Sequence, residues 1–218
     1  MTFARTLLLA LTLAALAAPV RADDEAARLA KALALEPGSV VADIGAGAGE
    51  LAFALAQTVG PSGRVYATEL DSDRLEELRE KAASVSNVTV VEAQVTATGL
   101  PDDCCDAIYM RDVYHHLTDP AALNRDVARS LRPGGTFVVI DFRPGGLLRL
   151  FKVEGVSESR KGHGIAPADA ERELGEAGFE RVKLVDPWLD RLIGLDLWAL
   201  FLRERASQSG SSAPPGSP

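Results

Sequence analysis

The residues with the clearest chemical meaning lie between Asp43 and Gly49, in the stretch DIGAGAG. An apolar run precedes Asp43, glycines alternate with alanines at Gly45, Gly47 and Gly49, and an apolar helical pattern begins at Glu50. This order predicts a buried strand, a tight turn and the start of a helix. Glycines let the backbone approach a ligand closely, and a helix N-terminus offers unpaired N–H groups and the positive end of its dipole. The stretch therefore predicts a binding loop for an electron-rich ligand.

The spacing of the glycines separates two kinds of nucleotide-binding loop. The dinucleotide pattern G-x-G-x-x-G would need its third glycine at position 50, where this chain has glutamate. The sequence reads D-x-G-x-G-x-G instead, which resembles the first motif of the class I S-adenosylmethionine (SAM)-dependent methyltransferases. The resemblance implies that the loop wraps the methionine end of SAM, with Asp43 near the amino group. A glycine-rich turn of another α/β domain is the alternative for this stretch taken alone.

A second acidic residue follows about twenty residues later, at the end of the next predicted strand, residues 64–69. A carboxylate at that place, here Glu69, accepts hydrogen bonds from ribose hydroxyls; an ordinary loop acid is the alternative. The resemblance adds Leu70 to the cofactor contacts. After a third strand, residues 87–92, the family usually has an aspartate for the adenine amino group. This chain has Gln94, whose amide oxygen can also accept.

Polar residues also follow the fourth predicted strand, residues 106–110, at an edge where open α/β sheets bind ligands. The run RDVYHHL resembles small-molecule methyltransferases, including those of quinone biosynthesis, and the resemblance adds Arg111 to the cofactor contacts. Asp112, His115 and His116 are the candidate general bases, needed only if the methyl acceptor still holds its proton. For the two histidines, packing and capping around the next helix is the alternative.

The rest of the pattern predicts the elements that position these residues. An N-terminal helix is expected to about position 35, and a helix begins at Asp71 or Ser72. The entry LRPGGTF before a fifth strand, residues 136–141, is another resemblance to the family. A helix from Pro167 and two late strands, near 181–185 and 195–202, complete it. The resulting fold class is α/β and Rossmann-like, with a seven-stranded, mostly parallel sheet, a terminal antiparallel hairpin strand, and helices on both faces.

A glycine-rich segment, residues 143–164, interrupts this pattern before the last helix. In the family this region helps to form the substrate lid. The apolar side chains of residues 147–151 suit an apolar acceptor, and His163 is a further candidate base. We therefore expect a small-molecule or lipidic methyl acceptor.

Composition limits the possible partners. The chain has 218 residues, 47% of them hydrophobic, and a formal net charge of −8. An acidic chain is a poor partner for nucleic acid, which is bound through basic surfaces. The two cysteines, Cys104 and Cys105, are adjacent, a spacing that rarely forms a disulfide and builds no zinc site. Two ordinary thiols and no metal are expected.

The N-terminus has the pattern of a secretory signal peptide. Arg5 precedes an apolar run at residues 7–18, and a small-residue exit ends at Ala22. This predicts a signal peptide over residues 1–22, a methyltransferase domain over 23–205 and a flexible tail over 206–218. The run is short for a membrane span, so we expect export with no stable membrane span after cleavage. An uncleaved membrane tether is the alternative, and export leaves open how SAM made in the cytosol reaches the enzyme.

The sequence therefore predicts a SAM-dependent methyltransferase, with two alternatives. One is a non-catalytic protein that binds or senses SAM on the same fold, an option raised by Gln94. The other is a different nucleotide-dependent enzyme, such as an oxidoreductase.

Overall fold

The computed structural model describes residues 22–144, 164–190 and 196–205. The described helices are α1 (Ala22–Ala32), α2 (Glu50–Val59), α3 (Ser72–Ala82), α4 (Pro120–Ser130) and α5 (Pro167–Glu176). The described strands are β1 (Val40–Ile44), β2 (Arg64–Glu69), β3 (Val88–Glu92), β4 (Cys105–Arg111), β5 (Leu131–Phe142), β6 (Phe179–Leu189) and β7 (Leu197–Glu204). A short 3₁₀ turn, Tyr114–His116, follows β4.

Local sequence explains where two helices begin. The Asp71 carboxylate accepts hydrogen bonds from the backbone N–H groups of Asp73 and Arg74, which decides between Asp71 and Ser72 as the cap of α3. Asp119 caps α4 in the same way, and proline fills the first helical position there. Pro167 likewise opens α5, as the sequence predicts.

The strands form one sheet in the order β3-β2-β1-β4-β5-β7-β6. Strands β1 to β5 run parallel to one another, and β7 is antiparallel to both β5 and β6. The predicted seven-stranded, mostly parallel sheet with a terminal antiparallel hairpin is confirmed. Because the chain builds β2 and β3 on one side of β1 and then crosses to β4 on the other, the carboxyl ends of β1 and β4 form a topological switch point, where such sheets bind ligands.

Helices cover both faces of the sheet, and each face has its own apolar core. Alternate residues of β4 show the division: Tyr109 packs into one cluster, and Ile108 and Met110 pack into the other. All three side chains are fully buried. Burial of a side chain of this size stabilises the fold by roughly 1.5–3 kcal/mol, so the central strands hold the ligand edge rigidly.

Several elements are longer or shorter than the sequence pattern indicates. β5 begins at Leu131 and includes the Pro-Gly-Gly turn, because its early residues pair beside the bulged start of β4. β6 runs over Phe179–Leu189 instead of 181–185, because antiparallel pairing with β7 continues through two register shifts. Helix α1 ends at Ala32, three residues before the expected end.

The expectation for the cysteines is wrong, because Cys104 and Cys105 form a disulfide. Adjacent side chains of a regular strand point to opposite faces. Here Asp103 has a left-handed backbone (φ 47°) and Cys104 lies in the turn before β4, while Cys105 is the first residue of that strand. The alternation is therefore broken at this point, and the two sulfur atoms meet.

Three predicted segments lie outside the described residues: most of the signal peptide, the lid with residues 147–151 and His163, and the tail from position 206. Within the described ranges, no helix has the length and apolar character needed to cross a bilayer.

Candidate functional site

A cavity of about 650 Å³ opens at the carboxyl ends of β1, β2 and β4, at the topological switch point. Its volume falls in the range of small-molecule binding sites. We call it the glycine-loop cavity, since Gly45, Ala46, Gly47 and Ala48 form part of its wall. Most of the predicted site residues line this cavity, namely Asp43, Gly45, Gly47, Glu69, Leu70, Gln94, Arg111, Asp112 and His116.

All three glycines of the loop have positive φ, but the surroundings of each favour glycine for a different reason. A side chain at Gly45 would collide with Val113, so this glycine allows the loop to pack on the turn after β4. Gly49 is buried, and a side chain there would strike Phe53 and Leu78. A side chain at Gly47 would meet no atom closer than the Arg74 guanidinium at 3.7 Å. Gly47 thus faces the cavity, whereas Gly49 is placed for packing and does not line it.

The carboxylate of Glu69 organises the loop. It accepts hydrogen bonds from the backbone N–H groups of Gly47 (2.8 Å), Leu70 (2.8 Å) and Asp71 (3.0 Å). The residue is only 7% exposed and lines the cavity. An ionised carboxylate has about four acceptor positions, so one stays available to a ligand hydroxyl. The residue predicted to bind ribose therefore also holds the glycine loop in place.

Asp43 stands at the end of β1 and is 4% exposed. Burial raises the pKa of its carboxyl to about 7. The Tyr109 hydroxyl and the Arg111 charge lower this pKa, and the nearby carboxylates of Glu69 and Glu25 raise it. Near neutral pH the group is thus balanced between its charged and neutral forms, and a cation bound in the cavity would favour the charged form.

Apolar side chains line the side of the cavity next to β2 and β3. Leu70 is 57% exposed and Val95 is 51% exposed, and both lie in the wall beside Gln94. Exposed apolar side chains in a concave wall suit a flat, apolar ligand surface. On the same wall, the fully buried hydroxyl of Thr68 has no hydrogen-bond partner among the described residues. These features fit a ligand with an aromatic ring and polar groups.

Arg111 lines the cavity, but its donors are engaged by protein carboxylates. Its Nε lies 3.0 Å from both oxygens of Glu25, one terminal nitrogen lies 3.0 Å from Glu25 Oε2, and the other lies 3.0 Å from Asp112 Oδ2. Glu25 also accepts from the Trp188 indole N–H at 3.3 Å. The guanidinium therefore joins α1 to the end of β4.

Sequence reasoning did not identify Glu25 as a site residue. A local signal existed, because Glu25 lies four and eight residues before Leu29 and Leu33 and so shares the inner face of the helix. An acid on an apolar helical face needs a buried partner. That partner, Arg111, is 86 residues away in the chain, so spacing could not name it.

The two histidines have different environments. His115 is 3% exposed, does not line the cavity, and its Nδ1 lies 2.9 Å from Oδ1 of the fully buried Asp141. His116 lines the cavity, and its ring centre is 3.9 Å from that of His115. Asp112 also lines the cavity and has a left-handed backbone, with φ 57°. Of the four predicted bases, Asp112 and His116 are therefore placed to meet a ligand, and His163 lies outside the described residues.

The loop, the switch point and the sheet order together define the class I SAM-dependent methyltransferase fold. Residues 42–139 match the model of the methyltransferase domain family, and the resemblance noted in the sequence is confirmed. The chain is similar to the ubiquinone/menaquinone biosynthesis C-methyltransferase UbiE of Francisella philomiragia, with 32% identity over 108 residues. That match covers 48% of this chain and 43% of the relative, so it spans less than half of either protein.

Solved structures show the same fold over more of the chain. A SAM-dependent methyltransferase from Aquifex aeolicus superposes with a TM-score of 0.67 at 23% identity, covering 85% of this chain and 93% of the other. The glycopeptide N-methyltransferase MtfA, solved with sinefungin, gives a TM-score of 0.65 at 19% identity, covering 88% and 90%. These likenesses establish the architecture beyond the matched domain.

Proposed function

We propose that this chain transfers the methyl group of SAM to a small-molecule or lipidic acceptor. The observation that carries the proposal is the contact between Glu69 and the glycine loop. The buried Glu69 carboxylate accepts a hydrogen bond from the Gly47 N–H and has a further acceptor position for a ligand in the cavity. The match of residues 42–139 to the methyltransferase domain family supports the same activity.

The wall of the cavity has a feature for each part of SAM. Glu69 would accept from the ribose hydroxyls, and Leu70 with Val95 would pack against the adenine ring beside Gln94. The open position at Gly47 and the carboxylate of Asp43 suit the methionine end and its ammonium group. Bound SAM supplies a methyl group already activated on a sulfonium, so the main task of the protein is alignment and exclusion of water.

His116 is the residue best placed to take a proton from an acceptor that still holds one. It lines the cavity, whereas His115 is buried against Asp141 and keeps the turn in position. Asp112 is the other predicted base that lines the cavity. A neutral imidazole is a suitable base near neutral pH. We expect His116→Ala to slow transfer more than it weakens SAM binding, with separate measurements of rate and of Kd as the check.

The cofactor assignment is tested by calorimetric titration with SAM and with NAD. Glu69→Ala is expected to weaken SAM binding by about 1–3 kcal/mol, since a hydrogen bond to a charged group is lost. Glu92→Ala is the matched control, because Glu92 pairs with Glu69 in register on the next strand but is exposed and does not line the cavity. NAD binding without SAM binding, or equal SAM affinity in both variants, would contradict the assignment.

The acceptor class is tested by transfer of a labelled methyl group from SAM. Quinol-like phenols, lipid extract and purified nucleic acid are offered in parallel. The similarity to quinone-biosynthesis C-methyltransferases and the acidic balance of the chain favour label in the phenol or lipid fractions. Label in nucleic acid alone would overturn this acceptor class, and SAM binding without any transfer would favour the non-catalytic alternative.

We propose in addition that the chain is exported after cleavage behind Ala22. The charged, apolar and small-residue pattern of residues 1–22 supports this. The disulfide between Cys104 and Cys105 is a second support, because disulfides persist mainly in oxidising compartments. Cleavage there would remove Ala22, the first residue of helix α1, and would keep Glu25 in the mature chain.

A further inference from the structure

Glu25 of helix α1 contributes a negative charge to one end of the glycine-loop cavity. Glu25 is 4% exposed, lines the cavity, and is held by Arg111 and by the Trp188 indole N–H. The ring of Trp188 is itself packed under the Arg28 guanidinium, 4.2 Å from the ring centre. These contacts fix Glu25 in the wall with little freedom to move.

The charged residues that line the cavity do not balance. Five are acids, namely Glu25, Asp43, Glu50, Glu69 and Asp112, of which Asp43 is only partly ionised near neutral pH because burial raises its pKa to about 7. Two are arginines, and the contacts of Arg111 with Glu25 and Asp112 place one guanidinium between two carboxylates. A concave, partly water-excluded wall with this excess favours a cationic ligand over a neutral one of the same shape.

A second observation, at the β2 side of the same cavity, also points to a ligand. Thr68 lines the cavity, and its fully buried hydroxyl lacks a hydrogen-bond partner among the described residues. A buried hydroxyl without a partner is costly to the fold. A rotation of this side chain toward the cavity would let a polar ligand bond the hydroxyl, so the unpartnered group points to a ligand in the cavity that carries the excess negative charge.

We infer that Glu25 is a specificity-determining residue, which makes the cavity prefer SAM to its demethylated product. The inference rests on the proposed function. In transfer, an electron pair of the acceptor forms a bond to the methyl carbon, and the carbon–sulfur bond breaks with its electron pair staying on sulfur. Any acceptor proton passes to the base. The ligand thereby loses one positive charge while its shape changes by one methyl group, so a charged wall can distinguish substrate from product and favour product release.

The test compares the Kd values of SAM and S-adenosylhomocysteine for the full chain by calorimetry. Glu25→Gln is expected to lower the preference for SAM over the product by about threefold to tenfold at ~0.1 M salt, because one negative charge leaves the wall. Asp24→Asn is the matched control: it removes the same charge from the adjacent residue of the same helix, which is exposed to solvent. Its preference is expected to equal that of the parent chain.

Two further variants distinguish the effect of removing a charge from the effect of loosening helix α1. Trp188→Phe removes one donor to Glu25 without changing charge, so the SAM preference should stay at the parent value. Asp112→Asn removes a charge at a left-handed backbone position that asparagine adopts readily, so the preference should fall as in Glu25→Gln. It also supplies the charge test if Glu25→Gln does not fold.

The outcomes distinguish failure of the inference about Glu25 from failure of the proposed function. Equal weakening of both ligands by Glu25→Gln would show a structural role only and would overturn the inference while leaving the proposed function in place. A parent chain that binds neither ligand would overturn both. A lower preference in the two charge variants, with Asp24→Asn and Trp188→Phe unchanged, is the result that the inference predicts.

Discussion

Replacing Asp43 by asparagine should change how the stability of the protein depends on pH. The pKa of this carboxyl is 3.8 in its ordinary state and is raised to about 7 by burial in the folded protein. An acid with a raised pKa binds its proton more tightly in the folded state, so the free energy of unfolding falls as pH rises between these two values. Below both values the stabilising contribution of this group is complete and no longer changes with pH.

The size of the effect follows from linkage. Each pH unit between the two pKa values removes about 1.4 kcal/mol of stability, and the loss levels off above pH 7. From pH 5 to pH 8 the parent chain should lose about 2.5 kcal/mol through Asp43 alone. Asp43→Asn has no proton to lose and should lack this part of the pH dependence.

Urea unfolding at pH 5 and pH 8 measures this pH dependence of the free energy of unfolding, with the fluorescence of the buried Trp188 and Trp198 as the signal. The other titrating groups are the same in both chains, so the difference between the two pH dependences isolates Asp43. Parallel loss of stability in parent and variant would refute the reasoning, because it would mean that Asp43 titrates in the folded protein as it does in water.

Three other outcomes are expected. Gly47→Val should weaken SAM binding at least tenfold, since its side chain enters the cavity. Gly134→Val is the control, because Gly134 also has positive φ but has open space around it, and this variant should bind SAM like the parent. Equal affinities of the two variants in calorimetry would contradict the placement of the loop. Asp141→Asn should lower the free energy of unfolding by about 1–3 kcal/mol in urea titrations, because buried His115 loses a charged partner; unchanged stability would refute this. Protein recovered from its host should begin at Asp23 by N-terminal sequencing, and a chain that still begins at Met1 would contradict export.

Local signals in the sequence were enough for the sheet and the nucleotide loop. The alternation of glycines before Glu50 and the acid at the end of β2 depend on residues close together in the chain, and the described bounds of β2, Arg64–Glu69, agree with the predicted ones. Glu69 shows the limit of this reasoning. The pattern predicts an acceptor for ribose, but only the folded loop shows the bond to Gly47.

What the sequence could not provide depends on contacts between distant residues. Glu25 meets Trp188 across 163 positions, and no spacing rule connects them. His115 and His116 are neighbours of the same type, and only the burial of Asp141 beside one of them shows which faces the cavity. The general rule that adjacent cysteines rarely pair fails for Cys104 and Cys105, because it does not include the turn that precedes β4.

The central claim is that SAM lies in the glycine-loop cavity with its ribose on Glu69. A crystal structure of the full chain with S-adenosylhomocysteine tests it most directly. We expect ligand density along Gly45 and Gly47, ribose hydroxyls within hydrogen-bond distance of the Glu69 carboxylate, and the adenine ring against Leu70. Density at another place on the molecule, or a ribose that makes no contact with Glu69, would contradict it.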